Sequence, residues 1–133
     1  MHDVIPPLLK IADEIVVVDS VSTDKTRYIC ESFGLLPVYK KFGWHGEQMN
    51  HAISLASNDW VLCIASDEIL DQETVNAVLT LKAGDEPDPG LAWPICRTWF
   101  VLGAEVRTIY PVSSPDSHRL LFNPHQSRSP TRP

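Results

Sequence analysis

An α/β fold with a mostly parallel, doubly wound sheet is predicted by three features of the sequence. Strand-like and helix-like segments alternate from Glu14 to Gly84, the pattern of helices crossing over a parallel sheet. The segment "EIVVVD", Glu14–Asp19, is a continuous β-branched run of strand length, as expected of a strand buried on both faces. Two of the apolar runs end on acids, Asp19 in one and Asp67 with Glu68 in the other. In open α/β sheets ligands bind outside the carboxyl ends of the strands.

Each element follows in order. Pro6 and Pro7 precede "LLKIADE", a short helical turn or loop. After the Glu14–Asp19 strand, "SVSTDKT" is a polar turn in which Ser22 or Thr23 is placed to cap a helix, with Asp24 in its first turn. Ile29, Cys30 and Phe33 give that helix an apolar face, and Gly34 suits its C-terminal stop. "LLPVYK" reads as a second strand and "KFGWHG" as a loop. A helix is predicted over Gly46–Ser57, because Met49, Ala52, Ile53 and Ala56 recur at helical spacing.

"NDWVLCIA" is the third strand. A helix from Asp71 presents Val75, Val78 and Leu79 to the core and ends near Gly84. "GDEPDPG" is a loop. "LAWPICRTWFVLG", interrupted by Pro94, and "EVRTIY" read as later antiparallel strands, and "SHRLLF" (117–122) as a last one. These elements make one domain over residues 1–123, followed by a mobile, proline-bearing tail over 124–133.

The bulk numbers narrow the function. The chain has 133 residues, 44% apolar and 21% charged, which suits a single globular domain. Its net charge of −6 argues against a nucleic-acid partner. No run approaches the ~20 apolar residues of a membrane span, and the start "MHDVIPPLLK" lacks the basic and long apolar regions of a signal peptide. Cys30, Cys63 and Cys96 lie in apolar settings with no C-x-x-C spacing. They read as buried reduced thiols of a cytoplasmic protein.

The five histidines make no i, i+4 pair, so a zinc site is not expected. There is no G-x-S-x-G, G-x-G-x-x-G or Walker A motif, which argues against a serine hydrolase, a dinucleotide enzyme and a P-loop NTPase. Arg119, Arg128 and Arg132 make the C-terminal end locally basic. That leaves a peripheral membrane contact open beside the simpler reading of a solvated tail.

The acids carry the chemistry. A carboxylate ending a buried strand is costly unless it is solvated, paired or bound to a metal. Mg²⁺ and Mn²⁺ bind through one or two carboxylates together with substrate phosphates. Asp67 is placed to hold such an ion against a diphosphate, where the ion would neutralise charge on a leaving group. The plainer alternative is that Ser66, Asp67 and Glu68 cap the next helix. Asp19 has its own, as an Asx-turn residue.

Together, "EIVVVDSVSTDKT" (14–26), "FGWHGEQMNHAISLASNDWVLCIASDEIL" (42–70) and, more weakly, "HRLLF" (118–122) resemble the inverting family 2 glycosyltransferases of the GT-A fold. The likeness is to the bacterial branch that adds sugars to lipopolysaccharide cores. It implies a Rossmann-like GT-A domain using a nucleotide-diphospho-sugar donor, Mg²⁺ or Mn²⁺, and a glycan or lipid acceptor. By that resemblance Asp19 contacts the donor's nucleobase, Asp24 supports the same loop, and Gln48 and Asn50 lie beside the donor. Asp67 binds the metal, and Glu68 shapes the acceptor side. Trp44 matches a loop aromatic, with packing over the sheet edge as the alternative to ligand stacking.

Four departures from the family pattern stand out. Ala65 replaces the first acid of Asp-x-Asp, and Met49 stands where a basic residue is usual. The family's first strand has no counterpart before Pro6. Its downstream catalytic base is missing, with Asp116 a weak candidate as the one acid after Glu105. A truncated or degenerate non-catalytic binding module is therefore the second expectation. A nucleotidyltransferase is the third, although the Gly-rich basic loop it needs is absent. The sheet edge left by the missing strand leaves a homo-oligomer open.

Overall fold

The structure is a computed structural model. It describes residues 1–84, 92–106, 108–109, 112–113 and 116–125. The chain divides into two compact units, residues 1–59 with 63–87 and residues 60–62 with 88–133.

The first unit holds four helices, α1 (Ile5–Leu9), α2 (Thr26–Ser32), α3 (His45–Leu55) and α4 (Gln72–Ala83), and two strands, β1 (Val18–Asp19) and β2 (Val38–Tyr39). β1 and β2 pair in parallel, Val18 with Val38 and Asp19 with Tyr39. The Val38 N–H donates to the Val17 carbonyl at 2.8 Å and the Lys40 N–H to the Asp19 carbonyl at 3.0 Å. The buried apolar residues of this unit are Val4, Ile5, Ile11, Cys30, Cys63, Val75 and Val78. Lys82 of α4 donates to the Ile11 carbonyl at 2.8 Å and to the Asp13 carboxylate at 2.6 Å.

The helix ends follow their local chemistry. α1 takes in Pro6 and Pro7, which the sequence reading placed before the helix. A first turn tolerates proline because its N–H groups have no intrahelical partner. α2 starts at Thr26, beyond Ser22 and Thr23, after a loop in which Asp24 accepts from the Thr26 N–H at 2.9 Å. It stops as predicted at Gly34, whose φ is +75°. The Gly34 N–H donates to the Glu31 carbonyl and the Leu35 N–H to that of Cys30, both at 3.0 Å, the paired bonds of a Schellman stop. α4 is capped by Asp71, which accepts from the Thr74 N–H at 2.7 Å, so Ser66, Asp67 and Glu68 do not cap it. Val75 and Val78 are buried, whereas Leu79 is exposed.

The second unit carries β3 (Val61–Leu62), β4 (Ala92–Arg97), β5 (Trp99–Val101), β6 (Ala104–Val106), β7 (Thr108–Ile109), β8 (Val112–Ser113) and β9 (Asp116–Phe122). All pairs in it are antiparallel, with β9 between β3 and β4. Trp60 and Trp93 pack with ring centroids 5.2 Å apart. Pro94 does not break β4 but shifts its register against β9, since proline lacks the N–H a regular ladder needs.

The α/β class holds, but among the described residues parallel pairing is confined to β1 and β2. The third apolar run pairs antiparallel with "SHRLLF" instead. A continuous apolar run reports burial, not the direction of its neighbour. Cys30 and Cys63 are buried as expected, but Cys96 is exposed. Along β4 burial alternates after Pro94, and Cys96 falls on the outward phase of the period-two pleat. The loop over 85–90 and the tail beyond His125 lie outside the described residues.

Candidate functional site

The site is built at the carboxyl ends of β1 and β2. Asp19 closes β1 with only 5% of its surface exposed. Both of its carboxylate oxygens accept from the Ser22 N–H at 3.2 Å, and Oδ1 accepts from the Ser22 hydroxyl at 2.5 Å. That is the Asx-type turn weighed for this residue. The turn holds Val21 at φ +66°, a strained position for a β-branched side chain.

Gln48, in the first turns of α3, reaches across both strand ends. Its Nε2 donates to Ser20 Oγ at 3.2 Å and to the Lys40 carbonyl at 3.3 Å. A carbonyl only accepts, so this contact fixes which end of the carboxamide faces the strands. Gln48 Oε1 is left buried without a partner among the described residues. Asn50 is exposed on α3. Residues two apart on a helix do not share a face, so Gln48 meets the strands while Asn50 meets solvent.

Beside Gln48 lies a cavity of about 290 Å³. Ile15–Val18, Met49, Ala52 and Ile64–Ser66 are among the residues lining it. Met49, the departure from a basic residue, is thus part of an apolar wall, as is Ala65. Trp44 is largely exposed and its ring lies against Gly46, so it packs on the start of its own helix.

Residues 65–68 form a tight turn. The Glu68 N–H donates to the Ala65 carbonyl at 3.1 Å, and the Ala65 N–H donates to Glu68 Oε2 at 2.8 Å. Glu68 therefore ties down the turn on which Asp67 stands. Asp67 is exposed and makes no hydrogen bond or ion pair among the described residues. No group of three or more His, Cys, Asp or Glu side chains is placed to hold a metal among the described residues. A lone exposed carboxylate still suits an ion that takes most of its ligands from phosphate and water. Asp116 begins β9, with its backbone in register with Arg97 of β4. Ser20 and the Lys40 carbonyl were not singled out in the sequence, because one is an ordinary turn residue and the other acts through its main chain, and Ser22, read there as a helix cap, binds Asp19 instead.

These strand-end loops lie in a stretch that matches a known family: residues 8–98 match the profile of glycosyl transferase family 2. The chain belongs to that family. Among curated proteins, this glycosyltransferase-family chain is 41% identical over 85 residues to an uncharacterized glycosyltransferase of Rickettsia bellii, covering 64% of this chain and 29% of that protein. A Rickettsia conorii glycosyltransferase matches at 41% over 85 residues, with 64% and 30% coverage. One from Rickettsia typhi matches at 38%, with 64% and 29% coverage. The family 2 chain thus aligns with less than a third of the length of these relatives. No solved structure matches it significantly. Among the described residues no helix is long and apolar enough to cross a membrane.

Proposed function

We propose that this chain is the donor-binding part of an inverting transferase of the GT-A fold. It would move a sugar from a nucleotide-diphospho-sugar to a glycan or lipid acceptor of the cell envelope, with Mg²⁺ or Mn²⁺. The observation that carries the reading is Gln48, bound to Ser20 and to Lys40 at the ends of two parallel strands, with a buried acceptor left over. Buried acceptors are rarely left unpaired, so a ligand N–H or O–H is the fitting partner for Oε1.

Asp19 holds the donor loop. A carboxylate has about four lone-pair sites, which leaves room for one donor group beyond its Ser22 contacts. Asn50 offers a solvent-facing amide on the same helix. Asp67 would hold the cation against the diphosphate, and the cation would offset the charge of the departing diphosphate. Glu68 acts on the acceptor side by fixing the turn rather than by contact, since its carboxylate is engaged with Ala65. Transfer also needs a base to deprotonate the acceptor hydroxyl, which attacks the anomeric carbon in line with the leaving group. Asp116 is the candidate within this chain.

Isothermal titration with nucleoside diphosphates of each base, with and without Mn²⁺, tests the reading. Binding that requires Mn²⁺ and disappears in Asp67→Ala is expected. No binding to any of them would remove the donor role. Binding without sugar transfer to any acceptor would leave the non-catalytic module in its place.

A further inference from the structure

β1 has one edge without a partner. Toward β2, the Val17 and Asp19 carbonyls accept from the Val38 and Lys40 N–H groups. Successive residues of an extended strand turn their backbone groups to opposite edges, so the N–H and C=O groups of Val16 and Val18 point away from β2. No strand pairs with them there among the described residues. An unpaired row of this kind is a template for another strand.

Two observations say what fits it. The run Ile15–Val18 is continuous and apolar, the pattern of a strand covered on both faces, yet all four residues are only half-buried. All four also line the cavity beside Gln48. Side chains alternate between the two faces of a strand, so four consecutive residues reach one cavity when it runs along the strand's edge. Ile5, Leu8, Met49 and Ala52 supply further walls. The cavity thus presents backbone hydrogen-bonding groups within a largely apolar lining. An extended apolar peptide matches both, because its main chain completes the ladder while its side chains meet the walls. A lipid tail or an apolar small molecule would leave the Val16 and Val18 groups unpaired. A second copy of this edge is a poor occupant. A two-fold interface sets the same patch against itself, and two edges that each open into a cavity do not meet.

We propose that this edge of β1 is a docking slot for an extended apolar segment of a partner polypeptide, which adds to β1 as a strand.

Fluorescence anisotropy of the whole chain with a labelled peptide, Lys-Val-Ile-Val-Ile-Val-Lys, tests this. Saturable binding is expected, with the Val16 and Val18 amides slowed in hydrogen exchange when the peptide is bound. The same peptide N-methylated at every inner residue keeps its apolar side chains but cannot donate to a ladder, and should bind about tenfold more weakly. Val16→Pro removes a donor that faces the cavity and lies outside the β1–β2 register. It should weaken peptide binding by about tenfold while leaving that pairing in place. No binding of the first peptide, equal binding of the N-methylated one, or unchanged affinity in Val16→Pro would overturn the proposal. So would protection of the Val16 amide that rises with protein concentration in the absence of peptide, since a second copy would then fill the edge. None of these readouts uses a donor nucleotide.

Discussion

Two acid-bearing loops of the first unit make opposite use of their carboxylates. After β1, Asp19 is buried and its oxygens are taken up by Ser22. In the 65–68 turn, Asp67 is exposed and its neighbour Glu68 does the bonding. The first loop therefore spends its acid on its own shape, and the second keeps one acid available. An exposed carboxylate on a turn fixed by another side chain is the arrangement that binds a cation without first giving up a structural bond.

The largest expected effects separate the two acids. Asp67→Ala should weaken Mn²⁺-dependent donor binding by about 10²-fold while changing stability by no more than about 0.5 kcal/mol. Asp19→Ala should behave the other way, lowering unfolding free energy in urea by about 2 kcal/mol, because it strips charge-assisted bonds from a buried turn. Equal losses of stability in both variants would break the contrast.

Asp71 supplies an intermediate case, an acid that is exposed but structural. Asp71→Ala should cost about 1 kcal/mol, the usual worth of an N-cap. The Thr74 N–H, with its side chain, holds the Asp71 carboxyl below its ordinary value. A lowered carboxylate pKa contributes stability above the unfolded value and loses it as pH falls through the folded value. The gap between wild type and Asp71→Ala should accordingly be full at neutral pH and close in acid, as read from urea midpoints. A gap of the same size in acid would show that the cap bond is not the cause.

Val21→Gly sharpens the first loop further. It should stabilise the protein by about 1 kcal/mol by removing a strained β-branched residue. Reduced stability would mean that Val21 makes a packing contact worth more than the strain.

The smallest effect is read from the thiols, two of which report on these loops. Burial, and secondarily the Asp19 charge, push the Cys30 thiol up. Burial pushes Cys63 up to about 11. Both should react slowly with thiol reagents in the native state at pH 8, with Cys96 reacting first. The stability gained by keeping Cys63 neutral is full below the ordinary thiol value of about 8.5. It is lost as pH rises through about 11, so Cys63→Ser should narrow the alkaline loss of stability. Three equally fast thiols would place the buried pair in a looser core.

The sequence alone determined the elements whose signals are local. The Gly34 stop, the start of a helix at Asp71 and the helical spacing through Met49 and Ala52 depend on a few neighbouring residues, and each is found where those residues put it. The acids that follow the apolar runs were legible for the same reason, since a carboxylate after an apolar run stands out without any partner, although only Asp19 ends a strand and Asp67 stands in a turn beyond Leu62, the last residue of β3. Tertiary structure decided what each acid does. Whether Asp19 meets Ser22 or solvent, whether Glu68 or Asp67 closes the turn, and which strand pairs with Val61 and Leu62 depend on contacts that residue type does not encode. Gln48 shows the division most directly: its place on a helix follows from periodicity, but its bonds to Ser20, 28 positions away, and to the Lys40 main chain exist only once the two strands lie side by side.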